Sequence, residues 1–102
     1  MSNELKRIRK LWDEYQKQPF PEGYAGKDVN DICVTSLDSF AAGCISAYVG
    51  NGKLDKKRIN ILKSCLDELD SILPELNEYP KEYFLNLKEI CVGIVKSLKI
   101  NN

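Results

Sequence analysis

The chain has 102 residues, 43% of them apolar, with fifteen Lys+Arg against fifteen Asp+Glu and no histidine. That length holds one domain and suffices to bury roughly two thirds of the unfolded surface. Zero net charge argues against a broadly basic nucleic-acid or membrane-surface binder. The absence of histidine removes the commonest general base and metal ligand.

Residues 3–17 carry Leu5, Ile8, Leu11, Trp12 and Tyr15 at helical spacing, with Ser2 or Asn3 as N-cap. Pro19 and Pro21 end this helix. The stretch 18–30 holds two Pro and two Gly and reads as a loop, pinned to the body by Phe20 and Tyr24. A second helix, about 31–49, shows a stripe of Val34, Leu37, Ala41, Cys44, Ile45 and Tyr48. Its start is ambiguous, because Val29–Thr35 is also compatible with extended chain. Gly43 lies mid-helix, where glycine costs about 1 kcal/mol against alanine, so a close-packed neighbour is expected there. Gly50-Asn51-Gly52 stops the helix.

Asp55 then caps a third helix, about 55–73, with Leu54 and Ile59 spaced as a hydrophobic staple. Ile59, Leu62, Leu66, Leu69, Leu73 and Leu76 mark its apolar face, and Pro74 ends or kinks it. After a short acidic connector, Pro80 opens a fourth helix, about 80–98, as an N1 proline. Tyr83, Phe84, Leu87, Ile90, Cys91, Ile94, Val95 and Leu98 give its buried face, and fraying is expected from Ile100. The reading is all-α: a compact four-helix bundle in a single domain, 1–102, with no segment of strand periodicity.

Chemistry-bearing residues are few. Cys33, Cys44, Cys65 and Cys91 stand far apart, without a C-x-x-C pair, and three lie on or beside apolar stripes; core thiols are expected rather than a metal site. No metal, cofactor or catalytic residue is assigned. Gly50-Asn51-Gly52-Lys53 lacks the spacing and the preceding strand of a phosphate loop. Asp67 and Asp70 form an i, i+3 pair that reads as a solvated helix face. Asp38 borders the apolar stripe and is expected to be partly buried and paired, with Arg58 or a tyrosine hydroxyl. The N-terminus has no apolar run of signal-peptide length, and no stretch approaches the ~18 apolar residues of a membrane span, so a cytoplasmic location is expected.

The zero net charge conceals segregation. Residues 51–64 carry five basic and one acidic residue; residues 65–80 carry five acidic and none basic. The third helix starts with Lys56, Lys57 and Arg58 and ends with Asp67, Glu68 and Asp70, an order that opposes the helix dipole. Either neighbouring helices balance these charges, for instance by bringing the acids of residues 22–38 to the basic start, or the acidic end serves a partner.

The strings PEGYAGKDVND, LDSFAAGC, GNGKLDKKR and CLDELDSILPEL, with the pair Tyr83-Phe84, resemble a group of short bacterial proteins: immunity proteins of contact-dependent growth inhibition systems. The resemblance covers about residues 19–90 and carries no catalytic signature. It implies a cytoplasmic protein, monomeric when free, that binds and blocks the toxic C-terminal domain of a cognate effector. Many such toxins are nucleases, whose phosphate-holding sites are basic, so carboxylates suit the inhibitor. Asp67, Glu68, Asp70, Glu75 and Glu78 are the expected contacts, with Tyr79 and Tyr24 as anchors. Neither nucleic acid nor membrane is expected as a partner. The alternatives are a regulatory or scaffolding helical module, including a homodimer pairing opposite charges, and, last, a small enzyme built around Asp38.

Overall fold

The computed structural model describes residues 3–101. Four helices, α1 (Asn3–Gln16), α2 (Val34–Asn51), α3 (Lys56–Ile72) and α4 (Glu78–Asn101), form a compact all-α four-helix bundle. A two-residue antiparallel ladder, β1 (Asp28–Val29) with β2 (Ile32–Cys33), precedes α2. Ser2, one of the two expected caps of α1, and Asn102 lie outside the described residues.

The helices form where the apolar period is 3–4. Ile8, Trp12 and Tyr15 of α1 are buried, as are Leu62, Cys65, Leu69 and Ile72 of α3. On α4, Tyr83, Phe84, Leu87, Ile90, Cys91 and Ile94 close the same core. Asp55 caps α3 as expected: its Oδ1 accepts from the Arg58 amide at 2.8 Å. Gly52 ends α2 in the left-handed region at φ 75°, and its amide donates to the Tyr48 carbonyl.

Several boundaries differ from the sequence reading. α2 begins at Val34 rather than 31, because Asn30 and Asp31 both adopt left-handed φ (51° and 65°) and close a tight hairpin. Two such residues suit the type I′ geometry that matches strand twist. α3 passes at Leu73 into a single 3₁₀ turn, Leu73–Glu75, which contains Pro74. α4 opens at Glu78, so Pro80 stands third in its first turn, and the helix runs on through Ile100 to Asn101.

Two further expectations are corrected. Gly43 is exposed, and a Cβ there would meet nothing within 4 Å, so no helix of this chain approaches it. The basic start of α3 does not meet the acids of residues 22–38. The α2–α3 hairpin sends those acids to the opposite end of α3, where the Asn30 side-chain amide donates to the Ser71 carbonyl at 2.8 Å.

The loop after α1 is pinned as its aromatics suggest. Phe20 lies edge-on to Tyr83 and Phe84, with ring centroids 5.6 and 6.1 Å away. Cross-links between helices fix the topology. The Arg9 guanidinium donates to the Val49 carbonyl, while Tyr15 reaches Asp38, so α1 and α2 are antiparallel. Tyr48 and Ser97 hydroxyls pair at 2.9 Å, while Tyr83 reaches Asp38, so α2 and α4 are parallel. The bundle is therefore up-down-up-down, 39 Å long and 25 by 19 Å across.

Candidate functional site: an acidic end and a polar cluster

Up-down-up-down order turns charge blocks in sequence into charge halves in space. The cross-helix contacts of Tyr15 and Tyr83 with Asp38, of Arg9 with Val49 and of Tyr48 with Ser97 set the middle of the bundle at about Trp12, Gly43 and Ile90, and α3 has its midpoint at Ser64. The half that contains the 18–33 loop and the α3–α4 turn holds thirteen of the fifteen acidic residues and four of the fifteen basic ones, a formal −9. The other half holds two acidic and eleven basic residues, +9. Opposite charges thus stand at the two ends of the long axis.

The expected contact residues are all at the acidic end, but they do not share one face. At 100° per residue, Asp67 points opposite the buried Leu69, with Glu68 and Asp70 on either flank. Asp67 is exposed. Glu68 turns towards α2 and lines a groove with Phe40 and Ile61. Asp70 turns towards α4, where Lys88 Nζ lies 2.6 Å from its Oδ1. Glu75 and Glu78 are exposed on the turn into α4. Glu78 itself takes a left-handed φ of 53°.

Both expected aromatic anchors are already engaged within the chain. The Tyr79 hydroxyl donates to the Pro19 carbonyl at 2.6 Å, strapping the loop to α4, while its ring stays 37% exposed. Tyr24 is half-buried against the core, with Lys27 Nζ 4.6 Å from its ring centroid. The hairpin adds acids that the sequence reading did not single out. Asp28 and Asp31 are exposed, and the Asn30 contact sets the hairpin beside the end of α3.

Asp38 is half-buried and pairs with tyrosine, not with Arg58. Its Oδ1 accepts from the hydroxyls of Tyr15 and, at 3.1 Å, Tyr83. Burial, reinforced by the Asp38 carboxylate, pushes both phenols above their ordinary titration range. Arg58 instead bridges to Asp55 at 2.8 Å, a half-exposed pair worth at most about 1 kcal/mol. A small cavity of about 60 Å³ adjoins Tyr15, lined by Leu11, Glu14, Gln18 and Asn86 but not by Asp38. The arrangement ties three helices together.

All four cysteines are free. Burial raises the thiols of Cys44, Cys65 and Cys91. The half-exposed Cys33 is held below the usual thiol range by the Ser36 hydroxyl beside it. Among the described residues no group of three His, Cys, Asp or Glu converges to hold a metal, and no helix is long and apolar enough to cross a membrane.

No protein-family model, curated protein or solved structure matches the chain.

Proposed function

We propose that this chain is an immunity protein, which binds a cognate toxin domain and neutralises it by laying its acidic end over a basic active site. The observation that carries this reading is the gathering of thirteen of fifteen acidic residues on one half of the bundle. Such a field is not needed for folding: like charges packed at one end repel and lower stability. It does suit a partner that must hold phosphate, as a nuclease does, because complementary potentials steer encounter and reject like-charged partners.

Asp67, Glu75 and Glu78, exposed and in no ion pair among the described residues, supply the carboxylates, joined by Asp28 and Asp31 of the hairpin. Asp70, paired with Lys88, contributes less. The Tyr79 strap and the Phe20 contacts hold the loop, so that the surface is formed before the partner arrives. The experiment is co-purification with the product of the adjacent upstream gene, followed by rescue of growth when that product is expressed. A tight complex with rescue supports the reading; the absence of both overturns it.

A further inference from the structure

We infer that this protein pairs with a second copy of itself through the face made by α2 and α3, with the two bundles antiparallel. Between these helices runs an open groove of about 350 Å³, lined by Phe40, Asn60, Ile61, Ser64, Cys65 and Glu68. Phe40 stands at its rim 60% exposed, the most exposed large apolar side chain among the described residues. Asp38 is the one charged residue of α2, and it is occupied by two tyrosines. The outward positions of this helix are therefore Thr35, Ser36, Ser39, Phe40, Gly43 and Ser46, an uncharged strip. The mid-helix glycine fits here too: with open space above Gly43, a helix from outside can approach closely.

Charge selects the occupant and its direction. Each copy carries about as much positive charge on one half as negative on the other, and none overall, so nothing repels a second copy at long range. A two-fold axis lying in the face, perpendicular to the helices and level with Gly43, reverses the second bundle. Every acidic half then lies against a basic half, whereas a parallel pair would set like against like. The same axis brings Phe40 of one copy to the level of Ser46 and Ile61 of the other. It also brings Lys57 near the other copy's Glu68, twice by symmetry. The acidic ends with Glu75, Glu78 and the hairpin remain uncovered, whereas Asp67, on the outer side of α3 next to Glu68, lies beside the seam.

Sedimentation equilibrium of the purified chain alone, at submillimolar concentration and low ionic strength, tests this independently of any toxin. The expected result is a dimer that weakens as salt rises. Phe40→Asp, at an exposed site, should keep the helical circular dichroism and weaken dimerisation by at least about tenfold. Lys57→Glu and Glu68→Lys should each weaken it, and the double exchange should restore it, because the pair recurs across the axis. A monomer under these conditions overturns the inference. So does a dimer indifferent to Phe40→Asp, or a double exchange that adds the two losses rather than cancelling them.

Discussion

The Tyr83 hydroxyl donates to Oδ1 of Asp38 at 3.1 Å, joining the second turn of α2 to the second turn of α4. Tyr15 of α1 donates to the same oxygen, so one carboxylate fastens three helices at the acidic end. Both tyrosines are about 95% buried, with ring centroids 4.8 Å apart. Removing the carboxylate would strand two phenols in a site with little water. Asp38→Ala should destabilise the fold by about 1–3 kcal/mol, and Asp38→Asn, which keeps an acceptor, by less. Urea unfolding of the two variants checks the size and the order.

Alkaline pH should weaken the fold through the same cluster. The folded phenols of Tyr15 and Tyr83 resist ionisation, mainly through burial and then through Asp38, whereas unfolded tyrosine ionises near pH 10. Below that pH both states keep their protons and the tyrosines contribute no pH dependence. Above it the unfolded chain gives up protons that the folded chain retains, so stability falls as pH rises. Urea midpoints measured from about pH 9 to 11 should decline, and Tyr15→Phe should flatten the decline.

Thiol reactivity should single out Cys33. It is half-exposed, and the Ser36 hydroxyl favours its thiolate. The Cys65 thiol is pushed up to about 11 by burial, and burial likewise raises Cys44 and Cys91. Iodoacetamide should modify one cysteine of the native protein, Cys33, and all four in denaturant. Peptide mapping by mass spectrometry gives the order.

Glu78 holds a left-handed backbone conformation that favours glycine and costs other residues about 1–2 kcal/mol. Glu78→Gly should raise the unfolding midpoint while removing a carboxylate from the proposed binding surface. A variant that is more stable yet binds the partner more weakly is the expected outcome, read by thermal denaturation and by binding.

The four helices were legible because their periodicity and punctuation agree. Pro74 falls where α3 tightens, Asp55 caps α3, and Gly52 turns left-handed at the end of α2. The hairpin at 28–33 was not legible, since two residues per strand leave no period to read; the Asn30-Asp31 turn was its only local signal. The partner of Asp38 was ambiguous because Tyr15 and Tyr83 lie 23 and 45 residues away, while Arg58 found a nearer carboxylate three residues before it. Charge blocks were visible along the chain, but their summation into two halves needed the order of the helices. Phe40 carries no sequence signal because it falls off the apolar stripe, which is also why it is exposed.

In the proposed function the acidic half meets a basic protein partner. The most direct measurement is the association rate with the product of the adjacent upstream gene, followed as ionic strength rises, for the wild type and two sets of charge reversals. Asp67→Lys with Glu75→Lys should slow association by about tenfold or more at low salt and abolish most of its salt dependence. Lys53→Glu with Lys56→Glu, at the other end of the bundle, should leave the rate unchanged or raise it. Association that is insensitive to salt and to the acidic reversals would contradict the claim.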